Sequence, residues 1–183
     1  MRIATFAGGA EGAWEITRIE AITGATLDVA PRLSVFEGGD PPAPTSWCLR
    51  GASSHIRYST RSDLTRLAAL QPELGRCAAT SAALIPMSKS LAWWELAQDE
   101  RQAVFGASSR HAEIGMDFLP AVARRLYHCR DLGEPFDFLT WFEFAPEHEA
   151  AFDRLLARLR STPEWRYVVR EVDVRLRRRA PSR

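Results

Sequence analysis

The 183-residue sequence has few cysteines and no long apolar run. Its three cysteines, Cys48, Cys77 and Cys129, are odd in number and lack the C-x-x-C spacing of a zinc or redox site. This usage fits a reducing compartment, and we expect the protein to be cytoplasmic. No stretch reaches the roughly 18 apolar residues that a membrane span requires, so no membrane partner is expected.

An excess of charge of one sign is also missing. The chain has 24 Lys and Arg against 23 Asp and Glu, a net charge of +1. It therefore has no long-range field that would attract nucleic acid or an anionic membrane. The one basic feature is the tail Arg175 to Arg183, and a short tail after a final strand is usually frayed and solvated. We expect no nucleic-acid partner.

The motifs of several enzyme classes are absent as well. The four histidines form neither H-x-x-x-H nor H-E-x-x-H, and there is no G-x-S-x-G elbow, P-loop or G-x-G-x-x-G turn. Zinc hydrolases, kinases and nicotinamide enzymes therefore lose support. With 46% hydrophobic residues, the chain is long enough for one domain or two small fused units and for a cofactor-sized cavity.

The elements that the sequence does specify occur in a repeated order. Phe136 to Ala145 alternates as a strand, the next helix carries a stripe of one phenylalanine and three leucines, and Trp165 to Leu176 predicts a closing strand. The order strand, strand, helix, strand occurs twice, and both helices exit through a Pro-Glu step. This repetition predicts two ferredoxin-like halves.

Two polar side chains lie on apolar helix faces. The spacing predicts a helix from Ser108 to Leu119 with His111 on its apolar face, ended by Pro120. A lone histidine there is either a hydrogen-bonded core residue or an axial metal ligand, and the residues alone leave both open. A helix beginning at Thr60 likewise turns Gln71 towards the core.

The chain resembles the chlorite dismutase family of haem proteins. The matching stretches, which cover nearly the whole chain and are strongest from Leu84 to Leu176, are LIPMSK at 84–89, Trp93-Trp94, DER at 99–101, His111, Arg124, FDFLTWFE at 136–143 and the ending from Glu164 to Leu176. The short first half is similar to the short-chain, dimeric lineage of that family.

This resemblance implies an α+β fold of two ferredoxin-like units, of the dimeric α+β barrel type. Residues 1–90 would form a shortened N-terminal unit and residues 91–183 the haem-binding C-terminal unit. It also implies haem b as the cofactor and a homodimer as the assembly.

The family's proximal haem ligand falls on His111, and Glu164 falls on the carboxylate that receives the other ring N–H. Such a partner fixes the tautomer and strengthens the imidazole as a donor. Arg124 falls on the distal catalytic arginine, whose permanent charge suits capture of an anion. Without the resemblance, Glu164 would be read as a surface loop residue and Arg124 as a solvated charge.

Three further residues are assigned near the haem. Gln71 is a candidate second distal polar group, with a structural hydrogen bond or a helix-end position as the alternative. Lys89 is expected to pair with a haem propionate and Trp93 to pack against the macrocycle; the alternatives are a surface lysine and a core indole.

The implied reaction converts chlorite to chloride and dioxygen through an iron-oxo species and a transient hypochlorite held by Arg124. The alternative is a haem-binding protein or a coprohaem decarboxylase-like enzyme whose substrate is not chlorite. The decarboxylases typically have tyrosine before Pro-Met-Ser-Lys and glutamine at the distal position. This chain has Ile85 and Arg124 there, and isoleucine supplies no redox-active phenol.

Overall fold

The computed structural model describes residues 2–41, 43–53 and 61–178, without the side chains of residues 62–64, 67 and 68. The described strands are β1 (Ile3–Gly9), β2 (Trp14–Thr23), β3 (Arg32–Glu37), β4 (Thr45–Ser53), β5 (Ser81–Lys89), β6 (Val122–His128), β7 (Phe138–Phe144) and β8 (Val168–Arg177). The α-helices are α1 (Arg61–Leu70), α2 (Leu91–Glu95), α3 (Gln98–Gln102), α4 (His111–Met116) and α5 (Glu149–Arg160). His55, Thr60 and the end of the basic tail lie outside the described residues.

The strands form one closed antiparallel barrel in the order β1-β3-β2-β8-β5-β7-β6-β4, with β4 pairing back onto β1. The second half contains β5, β6, β7 and β8, which are its first to fourth strands. In the barrel they occur in the order β8-β5-β7-β6, that is fourth, first, third and second. The earlier part repeats this as β4-β1-β3-β2. This is the ferredoxin-like order used twice, so the predicted fold class is confirmed.

The two halves differ in their helices. In the second half α2 to α4 lie between β5 and β6, and α5 lies between β7 and β8. In the first half, no helix occurs at these two positions within the described residues, which is the expected shortening. The division after residue 90 stays a prediction; in the strand order, β5 groups with the later strands.

Apolar residues on the two faces of the strands fill two separate cores. Neighbouring residues on a strand point to opposite faces, so one set fills the barrel and the other meets the helices. Inside the barrel, Phe6, Leu33 and Leu49 of the first half pack with Trp141 and Val174 of the second. Outside it, α4 and α5 cover β5 and β7 through a second cluster that includes Ala83, Ile85, Phe142, Phe144, Phe152 and Leu155.

Two predicted elements are shorter than expected. The predicted helix from Ser108 to Leu119 is interrupted, because Ala103–Ser108 is a π-helical segment and Arg110 has a φ of 49° before α4 begins. The predicted closing strand begins at Val168 instead of Trp165, since Pro163–Tyr167 is a 3₁₀ turn. Both changes lie beside the site described next. No described helix has the length and apolarity needed to span a membrane.

Candidate functional site

A cavity of about 290 Å³ lies between the outer face of the second half's sheet and helices α4 and α5. The sheet contributes Ile85, Arg124 and Phe142, and the helix side contributes His111 and Leu155. Its lining is largely apolar with a few polar groups, which is the usual character of a cofactor or small-molecule site. The charged groups at this cavity therefore interact in a medium that screens them weakly.

The His111 side chain is held at three of its sides. Its Nδ1 lies 2.8 Å from Glu164 Oε2, and because an ionised carboxylate only accepts, Nδ1 carries the proton and donates it. Phe105 stacks on the ring at a centroid distance of 4.5 Å, and Trp165 is nearly parallel at 6.2 Å. The ring therefore has a fixed plane, with Nδ1 engaged by the carboxylate.

Local backbone geometry explains where His111 lies. Arg110 occupies the left-handed region that a β-carbon disfavours, and the chain turns there so that His111 is the first residue of α4. Ser109, just before this turn, accepts a 3.0 Å hydrogen bond from the backbone N–H of Glu164 through its hydroxyl. The turn and the Pro163–Tyr167 segment are thus fastened to each other, which brings the imidazole to the carboxylate.

Glu164 is a buried carboxylate, 4% exposed, that accepts hydrogen bonds from the side chains of Lys89 and His111. Its Oε1 lies 2.5 Å from Lys89 Nζ while its Oε2 accepts from His111. Burial alone would raise the pKa of Glu164, but His111 and Lys89 outweigh it and lower this pKa to about 2. The carboxylate is therefore ionised at neutral pH and favours proton density on Nδ1.

Lys89 lies inside the protein, with its side chain 3% exposed. Besides its ion pair with Glu164, its Nζ lies 3.4 Å from the centroid of the Trp93 ring. Burial lowers the pKa of Lys89, and Glu164 opposes that shift. The propionate contact expected for Lys89 stays a prediction; the ion-pair partner in the structure is Glu164, which favours a role in holding that carboxylate.

Trp93 lines the cavity and is 2% exposed. Its Nε1 is buried and has no hydrogen-bond partner among the described residues. The ring meets Tyr167 edge-on at a centroid distance of 5.4 Å. Trp93 is thus part of the cavity wall, and its packing against a macrocycle stays a prediction.

Arg124 lies on β6 and reaches from the sheet towards α4. A β-carbon built at Gly115, on the turn of α4 after His111, would lie 3.6 Å from the Arg124 guanidinium carbon, so the guanidinium lies beside α4 at this glycine. No carboxylate pairs with Arg124 in the described part of the chain, and burial lowers the pKa of its guanidinium. An anion entering the cavity would therefore find an uncompensated positive charge.

Gln71 also lines the cavity, just after the end of α1. Its Nε2 donates a 2.8 Å hydrogen bond to the backbone carbonyl of Arg124. The structure thus provides the hydrogen bond that was one alternative for Gln71, and it also places the side chain beside the distal candidate.

All six predicted site residues line this one cavity: Gln71, Lys89, Trp93, His111, Arg124 and Glu164. Sequence reasoning missed Phe105, Trp165 and Ser109, which hold the imidazole or its carboxylate. Trp165 directly follows Glu164 and could have been noticed as its neighbour. No sequence signal identifies Phe105, because its stacking depends on the π-helical segment.

The donor set fits a cofactor that carries its own metal. Across residues 2–41, 43–53 and 61–178, no three His, Cys, Asp or Glu side chains converge as ligands for a bare ion. A single imidazole is available instead, with Nδ1 donating to a carboxylate and Nε2 left to bind a metal. That is the arrangement of an axial ligand to a metal macrocycle, and the apolar walls suit the macrocycle's faces.

Comparisons with known proteins agree on one family. The sequence model of the chlorite dismutase family matches residues 47–180. A curated chlorite dismutase from Ideonella dechloratans is 35% identical over 87 residues, which are 48% of this chain and 28% of that protein. The match therefore spans little more than a quarter of the curated relative's length.

Solved structures extend the similarity to the whole fold. A dimeric chlorite dismutase from Nitrobacter winogradskyi is 51% identical, with a TM-score of 0.90 over 96% of this chain and 99% of that one. A mutant chlorite dismutase from Candidatus Nitrospira defluvii has a TM-score of 0.66 over 98% of this chain and 92% of its own. At 19% identity, that second likeness concerns the fold alone.

Proposed function

This chain belongs to the chlorite dismutase family, and on that premise we propose that it is a haem b oxidoreductase converting chlorite to chloride and dioxygen. One observation carries the proposal. A single cavity is lined by an imidazole that donates to a buried carboxylate and by a guanidinium that no described carboxylate neutralises.

His111 would hold the haem iron through Nε2. Haem, when bound, supplies the redox chemistry that chlorite cleavage requires and that no amino-acid side chain provides. Glu164 keeps the Nδ1 proton oriented and makes the imidazole a stronger electron donor. Lys89 holds Glu164 in place from its other oxygen.

Arg124 would bind the substrate. Chlorite is an anion from which no proton has to be removed, so a permanently charged guanidinium serves it better than a titrating base. The same group would retain the hypochlorite fragment until the oxygen–oxygen bond has formed. Retention matters because free hypochlorite oxidises protein side chains such as methionine and tryptophan.

The walls of the cavity would keep water away from the reacting groups. Ile85, Phe142 and Leu155 present only hydrocarbon to it. In such surroundings the attraction between Arg124 and an anion is much stronger than in water. Gln71 would steady Arg124 through the backbone of β6, and Trp93 would flank the ring of the cofactor.

A second candidate is a haem protein of the same fold that does not turn over chlorite, including a coprohaem decarboxylase-like enzyme. The structure places Ile85 in the cavity wall, at the position where those decarboxylases carry a tyrosine. An aliphatic side chain there offers no phenol for radical chemistry on a propionate. This observation favours chlorite as the substrate.

We also propose a cytoplasmic homodimer. The relative from Nitrobacter winogradskyi is described as dimeric, and this chain covers 99% of its length. Cys48, Cys77 and Cys129 are all unpaired thiols, which suits a reducing compartment. Sedimentation should give about twice the 20.5 kDa mass of one chain.

Hemin titration followed by an oxygen-electrode trace tests the proposal. The loaded protein should show a Soret band and release oxygen rapidly when chlorite is added. His111→Ala should lose or strongly shift the Soret band. A wild-type protein that binds hemin but only bleaches with chlorite would exclude the enzyme and leave the second candidate.

A further inference from the structure

Lys89 makes a contact that the proposed reaction does not use. Its ammonium lies against the face of the Trp93 ring, 3.4 Å from the centroid, and both groups are buried. Glu164 lies 2.5 Å from the same Nζ and favours its charged form. A cation in this position is attracted to the neutral ring by the ring's quadrupole.

Trp93 also begins a path of aromatic rings away from the cavity. One end of the path is the cavity wall, to which Trp93 belongs. The other is Tyr167, whose ring is 5.4 Å from that of Trp93 and which is partly exposed at the start of β8. Rings at this separation exchange single electrons readily, so an oxidised Trp93 would draw an electron from Tyr167.

We propose that the Lys89 ammonium protects Trp93 from one-electron oxidation and so blocks this path. The inference rests on the proposed function in one respect, since that function places an oxidising reaction in the cavity. The effect itself, a ring that an adjacent cation makes harder to oxidise, involves only residues of this chain.

The cation acts on the first step, in which Trp93 loses one electron. Removing one electron from Trp93 reduces the oxidant by one electron and leaves a radical cation on the ring. Nε1 has no acceptor in the described part of the chain, so the proton stays and the positive charge remains on the ring. Two like charges then face each other at 3.4 Å in a poorly screened site.

The second step would be easier. Tyr167 would give one electron to Trp93, restoring the neutral indole, and would release its phenolic proton to solvent. The radical would then reside on a partly exposed tyrosine, away from the cavity. Oxidising equivalents lost in this way could no longer be used on the substrate, so Lys89 keeps them in the cavity by opposing the first step.

The test measures oxidation at individual residues. Full-length protein loaded with hemin is treated with peracetic acid, and peptide mapping by mass spectrometry gives the oxidised fractions of Trp93 and Tyr167. The same protein without hemin is oxidised by one electron with a photoexcited ruthenium tris-bipyridine complex and persulfate. The second arm needs no haem, so it decides the inference even if hemin fails to bind and the proposed function fails.

Four variants separate the ammonium from its ion-pair partner. Lys89→Met removes the cation, Lys89→Arg keeps it, and Glu164→Gln removes the carboxylate that favours the charged form of Lys89. The double variant Lys89→Met with Glu164→Gln removes both charges, and it replaces the single variant if an unpaired buried carboxylate prevents folding.

We expect about tenfold more oxidation of Trp93 and Tyr167 when the cation is removed, because the facing charge no longer opposes the radical cation. Lys89→Arg should stay near the wild-type level. In the hemin-free arm Glu164→Gln should lie between wild type and Lys89→Met, because it removes the carboxylate that favours the charged form of Lys89. Unchanged oxidation in Lys89→Met and in the double variant would overturn the proposal. A rise in Lys89→Arg equal to that in Lys89→Met would also overturn it, since the effect would then not depend on the charge at this position.

Discussion

Glu164 is the residue on which the proximal side of the cavity depends. It accepts hydrogen bonds from His111 on one oxygen and from Lys89 on the other, and all three groups are largely withdrawn from water. Taking a carboxylate out of water is costly unless its oxygens are hydrogen-bonded, and here each oxygen has a partner. Removing any one member leaves a buried group unsatisfied.

The lowered pKa of Glu164 predicts a pH dependence of stability. Its folded-state pKa of about 2 lies below the ordinary value of 4.5, so its contribution is present above about pH 4.5 and is lost as the pH falls towards 2. The full contribution is on the order of 3 kcal/mol. Urea unfolding should show that Glu164→Gln costs about 1 kcal/mol less at pH 3.5 than at pH 6.

The solvent-exposed Glu147 provides the control for this measurement. Glu147→Gln should leave the free energy of unfolding within about 0.5 kcal/mol of wild type at both pH values. An equal cost of Glu164→Gln at pH 6 and pH 3.5 would contradict the assignment of the low pKa to this carboxylate.

Arg124→Ala should separate substrate capture from haem binding. Arg124 is carried by β6 and His111 by α4, so the substitution leaves the proximal histidine in place and the Soret band should persist. Chlorite turnover should fall by about 10²-fold or more, the usual cost of losing a preorganised charged donor. Arg154→Ala, an exposed arginine on α5, should have neither effect. Oxygen release at the wild-type rate from Arg124→Ala would refute the role.

The sequence led to six residues that line one cavity but could not give their contacts. His111, Glu164 and Arg124 come from separate parts of the chain, and only the family's motifs connected them. The expected propionate partner for Lys89 was inferred from its motif position. That Lys89 meets Glu164 and Trp93 depends on a distance across the fold, which spacing along the chain does not determine.

At the scale of elements, α5 is the helix that closes the cavity against the sheet. Phe152 is fully buried, and its ring lies 4.6 Å from that of Phe144 and 4.9 Å from that of Phe142. Both partners are on the outer face of β7. This stack fixes the helix to the strand beside the cavity.

Phe152→Ala should therefore destabilise the protein by about 3–5 kcal/mol, through lost burial and the space left between helix and strand. Urea unfolding gives the free energy directly. Arg154→Ala on the exposed side of the same helix should cost less than about 0.5 kcal/mol. If Phe152→Ala lowers the free energy of unfolding by no more than Arg154→Ala does, the ring stack is not what holds α5 against β7.

Elements with a clear period were predictable, and those set by tertiary context were not. The alternation at 136–145 and the leucine stripe of α5 matched β7 and α5 closely. Strands β3 and β6 were missed because β3 is short and β6 follows directly on the end of a helical region. The break before His111 was also missed, since nothing in the sequence marks Arg110 for a left-handed conformation.

At the scale of the whole molecule, the repeated order of elements was enough to predict two ferredoxin-like halves. The barrel was implied only by the family resemblance, because closure depends on pairing between strands far apart in the chain. Strand β2 pairs with β8 and β4 with β6, so each half covers an edge of the other. The barrel core is shared in the same way.

A chain limited to residues 81–178 should therefore fail to fold alone. Its β8 and β6 would have unpaired edges, and Trp141 and Val174 would lose their partners from the first half. Circular dichroism and sedimentation should report an aggregated or unfolded species even with hemin added. A soluble, monomeric fragment with native-like helix and strand content would show that the halves are independent.

The strand pairings that close the barrel differ in length. In the described residues β2 pairs with β3, and β4 with β6, through two register positions each, whereas β5 and β7 are paired from Ser81 to Met87. Native-state opening should begin at the two short pairings, so backbone amides of β3 should exchange with deuterium sooner than those of β5 and β7. One of the short pairings borders β6, so local opening of the barrel would reach the wall that carries Arg124.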